Sequence, residues 1–474
     1  MLKHAFLSSA LIALSAAAAQ VDRVVVRQQW PWSDGILVEY ALSGLDSPVD
    51  ISVAVTRNGS PVAVPNGAMK GDLYGVTDPV GSFTVDTALL FGGEKVNIGA
   101  LRFVLSTSPS PANLDEVLYK IFDLSSGKCE DVTRRQILNG EKGAYETDYS
   151  KIGPNFSTDE SDVLIWTGVT NNIAYKTTHL VMRKIKAADK VWQSGDPADV
   201  LHVKTASVAR YWVKLTYDYY IGVFETTLAQ YKAVYGSYPA DCSFGPNGED
   251  TVAANRTYYY NVVGYTMSDY PDYNTVVAYE KLCYPTNSYV RDVGRKELCA
   301  KMWSRMKCEF TLPTEAEWEF ACRAGTGGAL YSGEAQTEAN VSKLAWHSGI
   351  SGGTVNVVGG KLPNAFGLYD MLGNAIERIL SSGEMNQGAT SGSGLSSEDP
   401  AIDPLGKTDN VARNVGYSVG GGCTSGTYSN GDWQDCRTSS RSGSYEYGNT
   451  NPALGFRFVM PARADGQWAD HPAK

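Results

Sequence analysis

From Val21 to about Pro109, apolar and polar positions alternate with the period of two expected of half-buried strands. Ile36, Val38 and Tyr40 alternate with Leu37, Glu39 and Ala41, and Ile51, Val53 and Val55 alternate with Ser52, Ala54 and Thr56. Asp34-Gly35, Asn58-Gly59 and Asn66-Gly67 punctuate these runs, each pair suited to the positive backbone angles of a tight hairpin. The pattern predicts a small all-β sandwich. From about Ser106 to Tyr175, short apolar runs (Val117 to Phe122, Val163 to Trp166) are separated by long polar pieces, which predicts a connector with short strands. Its Asp159-Glu-Ser-Asp162 is a solvated loop or a cation site, and the pattern favours the loop.

A different pattern starts near Thr178. His179, Val181, Arg183 and Ile185 alternate with Leu180, Met182 and Lys184, and Tyr211 to Phe224 is dense in Tyr, Val, Ile and Phe, so both read as strands. Thr226 to Tyr235 reads as a helix capped by Thr226, with Leu228, Tyr231 and Val234 on one face. The boundaries drawn are a leader over 1–19, the sandwich over 20–109, the connector over 110–177, a larger domain over 178–462 and a tail over 463–474.

Length and charge refine this. A chain of 474 residues is long for one hydrophobic core. Acidic residues outnumber basic ones by 51 to 41 with no Lys/Arg cluster, which removes the electrostatic basis for a nucleic-acid partner. Met1-Leu-Lys-His4, the apolar run Ala5 to Ala16 and the small Ala17-Ala-Ala19 before Gln20 have the layout of a secretory signal peptide. A secreted or periplasmic protein with no membrane span after cleavage is expected. Export would permit disulfides among the eight cysteines, which form no Cys-x-x-Cys and have only five scattered histidines for company, so no zinc signature is present. Cys299 and Cys322 fall in helical stretches at core positions, and His347 is a lone imidazole in a loop, packed or solvated rather than ligating.

Four segments carry a family resemblance. Tyr219-Tyr-Ile-Gly-Val-Phe-Glu-Thr-Thr-Leu-Ala-Gln-Tyr231 is the first, and Leu312-Pro-Thr-Glu-Ala-Glu-Trp-Glu-Phe320 the second. In the second, Thr314 and Glu317 form a capping box behind Pro313 that starts a helix with Trp318 and Ala321 facing inward. Asn364-Ala-Phe-Gly-Leu-Tyr-Asp-Met-Leu-Gly-Asn-Ala-Ile-Glu377 is the third, and Leu454-Gly-Phe-Arg-Phe458, after Gly420-Gly421, the fourth. In this order they resemble the formylglycine-generating, sulfatase-modifying factor family. The resemblance implies an irregular α+β domain of C-type-lectin-like fold. It also implies a structural Ca²⁺ held by Asp370, Gly373, Ala375 and Glu377, a hard oxygen set suited to that ion; the bland alternative is that Asp370 and Glu377 only satisfy loop amides.

The activity the family implies is copper-dependent oxidation of a client cysteine to formylglycine, through two thiolates that suit soft Cu(I). Here Ser425 and Asn430 stand at those thiol positions, Gly422 stands where the family has a serine, and Ile376 and Arg378 stand where the family has aromatics on either side of the glutamate, Glu377. Cys423 and Cys436 lie in the same region and could be a disulfide, two buried thiols or, least expected, a metal or redox pair. The family's iron branch needs histidines from a further helical domain, which nothing upstream supplies. The stretch Thr424 to Asn451 is rich in Ser, Gly and Asn with Tyr428, Trp433, Tyr445 and Tyr447, the composition of an adaptable binding surface as well as of an ordinary polar loop. The expectation is a non-catalytic domain engaging a protein, peptide or glycan, with the copper oxidase as the alternative.

Overall fold

The computed structural model describes residues 19–28, 35–94, 96–147, 164–200, 210–257, 262, 298–380, 396–404, 415–424, 432–446 and 453–463. Residues 1–18 of the expected leader, Asp159 to Asp162, Cys283, Ser425, Tyr428, Asn430, Tyr447 and nearly all of the tail lie outside them. The chain forms two compact units, one of residues up to Glu116 with Arg134–Ala144, the other of Val117–Thr133 with Tyr145 onward.

The first unit is built from β1 (Gln20–Gln28), β2 (Ile36–Ser43), β3 (Val49–Arg57), β4 (Ser60–Val62), β5 (Met69–Gly71), β6 (Val80–Val85) and β7 (Leu101–Pro109). They make two antiparallel sheets, β1-β2-β6-β5 and β4-β3-β7. Ile36, Val38 and Tyr40 turn inward with Val49, Ile51, Val55, Phe83 and Phe103 to make one apolar core, as the period of two requires. Asn58 and Gly59 turn β3 into β4 with φ of 51° and 83°. A Cβ on Gly81 would overlap the Tyr40 ring, whose hydroxyl donates to the Asp72 carbonyl at 2.5 Å. Two short helices, Thr87–Phe91 and Arg134–Leu138, accompany the strands, so this unit is not made of strands alone.

The second unit places β8 (Val117–Asp123) and β9 (Cys129–Thr133) beside strands from further along the chain. These are β10 (Glu146–Thr147), β11 (Leu164–Ile165), β12 (His179–Ile185), β13 (Val191–Ser194), β14 (Tyr211–Lys214), β15 (Tyr219–Gly222), β16 (Ile376–Arg378), β17 (Ala401–Ile402), β18 (Val415–Val419), β19 (Arg441–Glu446), β20 (Leu454–Phe456) and β21 (Val459–Pro461). The main sheet runs β21-β15-β12-β8-β9, and a second runs β19-β18-β16-β20. Much of what reads as connector is therefore structural: β8 is flanked by β9 and β12, and its Leu118, Tyr119, Ile121 and Phe122 are buried. The alternation seen in β12 is lost in space, because Leu180 to Arg183 are all buried. With this mix of helices and sheets the fold is α+β.

The helix Leu228–Tyr235 is capped by Thr227, one residue later than the sequence suggests, and Gln230 answers from the third position. Thr226 instead donates its amide to the Phe456 carbonyl. The helix Glu315–Arg323 starts as the capping box predicts: the Thr314 amide donates to Glu317 Oε2 at 2.7 Å, and the Glu317 amide donates to Thr314 Oγ1 at 3.2 Å. All nine of its residues are buried. Its acidic face is held by Arg441, which bridges Glu315 and Glu319, and by Arg323, which pairs with Glu319 at 2.6 Å. Among the described residues no helix is long and apolar enough to cross a membrane.

Burial pushes the Glu317 carboxyl up to about 7, against the opposing hydrogen bonds from Thr314 and Tyr217. A carboxyl raised in the folded state favours folding fully below its unfolded value and loses that contribution as pH rises through the folded value. Stability should therefore fall between about pH 4.5 and pH 7, by up to about 3 kcal/mol from this group. Glu317→Gln keeps a side-chain acceptor for Thr314 and carries no ionisable proton. Urea midpoints measured across this range should fall less steeply in the variant than in the parent.

Candidate functional site

Each of the four motifs sends one side chain to a common buried point. From the fourth comes Arg457, completely buried, whose Nε donates to both Glu377 oxygens at 2.8 and 2.7 Å and whose Nη2 reaches Oε1 at 2.5 Å. Its remaining donors go to the carbonyls of Gly222 at 3.0 Å and Tyr369 at 3.1 Å, tying β15 to the third motif. From the second comes Trp318, whose Nε1 donates to Glu377 Oε2 at 2.8 Å. From the first comes Glu225, which accepts from the Ala375 amide at 2.8 Å and from Asn374 Nδ2 at 2.5 Å.

The third motif is a loop whose own side chains replace missing secondary structure. Asn364 donates to the Ala321 and Cys322 carbonyls at the end of the helix Glu315–Arg323, and accepts from the amides of Phe366 and Leu368. Asp370, Gly373 and Asn374 then take positive φ of 55°, 73° and 56°. At Gly373 the requirement is also spatial, since a Cβ would stand 2.5 Å from the Trp346 carbonyl oxygen.

Of the four residues to which the resemblance assigns calcium, Asp370 is buried with Oδ2 accepting from the Gly359 amide at 2.6 Å and Oδ1 without a hydrogen-bond partner. Gly373 donates to the Gly420 carbonyl, Ala375 donates to Glu225, and Glu377 is held by Arg457 and Trp318. Burial raises the Asp370 carboxyl to about 6 and Glu225 well above the usual range, and the carboxylates raise one another further. Three buried carboxylates thus share one fully buried arginine, with Lys176 contributing a more distant attraction at Asp370. Among the described residues no three His, Cys, Asp or Glu side chains converge as a metal cluster, so a cation here would draw on backbone carbonyls besides Asp370.

Cys423 and Cys436 are both completely buried and unbonded, in neighbouring apolar clusters. Burial raises the Cys423 thiol to about 12 and Cys436 higher still, so both stay protonated near neutrality. Cys423 is fixed by its backbone, the amide donating to the Asn374 carbonyl and the carbonyl accepting from Ser351 Oγ at 2.5 Å. Ile376 packs on Leu454, and Arg378 is buried beside it on β16. Cys299 and Cys322 are core residues as the sequence predicts.

His347 is packed: its Nδ1 accepts from the Gly349 amide, leaving Nε2 to donate to Ser342 Oγ at 2.9 Å while Ser342 donates to the Glu338 carbonyl. That polarity is the reverse of a base activating a serine. On the expected binding surface, Trp433 lies in a short 3₁₀ turn, half-buried against the core, and Tyr445 pairs through its backbone with Gly416. Elsewhere, a cavity of about 110 Å³ is lined by Trp192, Trp212, Arg210 and Arg323.

Glu225, Asn374 and Arg457 are the residues that sequence reasoning passed over. Their signal is present, because a lone charge inside Tyr219 to Phe224-Glu225 or inside Leu454-Gly-Phe-Arg-Phe458 must find a partner if the apolar residues around it are buried.

With this geometry in view, residues 204–462 match the Sulfatase-modifying factor enzyme 1-like domain, more than half of the chain. The protein belongs to that family. Among solved structures it is similar to Treponema denticola variable protein 1, at 21% identity over 60% of this chain and 95% of that one, with a TM-score of 0.38. It is also similar to PvdO from Pseudomonas aeruginosa, at 18% identity over 59% and 94% of the two chains, with a TM-score of 0.41. No curated protein matches.

Arg457→Met removes the only guanidinium touching Glu377 among the described residues and leaves that carboxylate buried. The variant should lose about 3–5 kcal/mol in urea denaturation, and adding Glu377→Gln should recover part of the loss.

Proposed function

We propose that this protein is an exported, non-catalytic member of the family whose domain binds a protein, peptide or glycan ligand and is stabilised by calcium. The observation that carries the first half is the state of the sulfur. Ser425 and Asn430 occupy the positions where the resemblance places copper-binding thiols, and the cysteines nearest in sequence, Cys423 and Cys436, are buried and protonated. Copper(I) ligation needs thiolates that an incoming client cysteine can reach. Ile376 and Arg378, both buried, further change the place where the family carries aromatics.

The binding half rests on composition. Tyr428, Trp433, Tyr445 and Tyr447 within a Ser/Gly/Asn-rich stretch offer rigid aromatic area with adaptable hydrogen bonding, in a C-type-lectin-like arrangement. The first unit serves as a β-sandwich spacer, and the leader over 1–19 directs the chain out of the cytoplasm.

Calcium is supported by the donor chemistry around Asp370. Its Oδ1 is a buried acceptor with no donor, and the carboxyl groups of Glu225, Asp370 and Glu377 stand with a single guanidinium, that of Arg457, bonded to Glu377 among the described residues. Asp370 with the carbonyls of Gly373 and Ala375 would hold the ion, and Glu377, already bonded to Arg457, would complete the charge. The ion would be structural, supplying Asp370 Oδ1 with the partner it otherwise lacks.

Incubation with Cu(I), oxygen and a cysteine-containing sulfatase peptide is expected to leave the cysteine intact by mass spectrometry. Aldehyde formation that disappears in Cys423→Ala and Cys436→Ala would overturn the non-catalytic reading in favour of the copper oxidase. A chelator should lower the unfolding temperature, with Ca²⁺ restoring it and Mg²⁺ failing to. At free calcium a hundredfold above its dissociation constant the stabilisation is about 3 kcal/mol. Asp370→Asn should abolish the response, and an unresponsive parent protein would remove calcium from the account.

A further inference from the structure

The second unit brings two cysteines, Cys129 and Cys308, to one face of the main sheet from positions remote in sequence. Cys129 opens β9 directly opposite Phe122 of β8, and cross-strand partners project to the same side. The Phe122 ring meets Phe310 edge-on at 5.1 Å between centroids, and Cys308 stands two residues before Phe310, against the same apolar cluster. Both cysteines therefore border one layer of side chains.

The backbone brings the two segments together independently. The β8–β9 turn lies on the last turn of the helix Leu298–Met306 so closely that a Cβ on Gly127 would overlap the Arg305 carbonyl. Arg305 Nη1 also donates to the Leu124 carbonyl at 2.8 Å, clamping the turn to the helix. Cys129 is two residues beyond this contact on one side. Cys308 is three beyond it on the other, after a reversal at Lys307, where φ is 58°. Burial raises both thiols, and the Lys120 ammonium opposes that rise at each, as it would for two sulfurs sharing a neighbour. Asp131 accepts from the Cys129 thiol at 3.8 Å and pairs with Lys120 at 2.5 Å, and among the described residues no group of three His, Cys, Asp or Glu gathers to make a metal site.

We propose that Cys129 and Cys308 are a disulfide pair that staples the β8–β9 hairpin to the end of the helix Leu298–Met306. Cys129, the exposed member, attacks a small-molecule disulfide such as oxidised glutathione and releases one thiolate. Cys308 then attacks the Cys129 sulfur of the mixed disulfide and releases the second. Two protein thiols lose two protons and two electrons, and the acceptor is reduced to two thiols.

The test is peptide mapping of the full chain after exposure to oxidised glutathione, with free thiols alkylated before digestion. Trypsin should release 129–134 joined to 308–323. Because the second peptide also carries Cys322, the link must vanish in Cys308→Ser and persist in Cys322→Ala. Reductant should lower the unfolding temperature of the oxidised parent by about 5–10 °C and leave Cys129→Ser unmoved. Free, alkylated Cys129 in the oxidised protein, or Cys129 joined to any other cysteine, overturns the proposal.

Discussion

The buried ion pair between Arg457 and Glu377 is the constraint on which the second unit depends. An arginine with no solvent exposure has lost its hydration, and only a full set of acceptors compensates for that. Those acceptors come from separate pieces of chain: Glu377 on β16, the Gly222 carbonyl on β15 and the Tyr369 carbonyl in the preceding loop. Trp318 then fixes the carboxylate from the helix Glu315–Arg323. Satisfying one guanidinium thus sets the mutual placement of two sheets and a helix.

This explains why a domain with so many loops can be specific. Where ladders of backbone hydrogen bonds are short, the backbone groups must pair with side chains. Asn364 serves the end of a helix and two loop amides, Asn374 bridges Glu225 and Asn356, and Glu225 caps the Ala375 amide. Each is a polar side chain spent on backbone or on another buried polar group, and each is satisfied from more than one direction. Networks of this kind penalise alternative packings more than they add net stability, because any slip leaves a buried polar group unpaired.

How much of this was legible in the sequence depended on the range of the interaction. The capping box at Thr314 and Glu317 is local, three residues apart, and is legible together with the core positions of Trp318, Ala321 and Cys322. The inward set Ile36, Val38 and Tyr40 was equally plain, because period two needs no knowledge of the partner strand. The cap lies at Thr227, one residue beyond the Thr226 that the pattern suggests. Two adjacent threonines offer the same chemistry, and the choice is made by distant contacts: Thr226 pairs through its amide with Phe456, while Thr227 Oγ1 donates to the Lys176 carbonyl. The β8 strand was harder still, since its apolar run Val117 to Phe122 finds neighbours in β9 close by and in β12 about sixty residues on. The four motifs were visible as motifs, whereas their meeting at Arg457 required long-range pairing that no local pattern encodes.

In the proposed reading, scaffold and chemistry separate along a physical line. The residues of the knot, Glu225, Trp318, Asn374, Glu377 and Arg457, are joined by buried hydrogen bonds, and replacing Arg457 or Glu377 leaves its partner a buried charge without its counter-ion. A thiol is a small neutral side chain and is under no such electrostatic constraint. A thiol exchanged for Ser425 or Asn430 removes a ligand without orphaning a buried charge, and a Cys423 that packs among apolar groups with its backbone bonded to Asn374 and Ser351 serves the fold as a small hydrophobe. The asymmetry makes the proposed reading physically coherent: drift at the sulfur positions costs the fold little, while drift in the knot costs several kcal/mol, of order 3–5 for one partner of a buried pair. A chain of the proposed, non-catalytic kind would therefore keep its four motifs without keeping copper ligands.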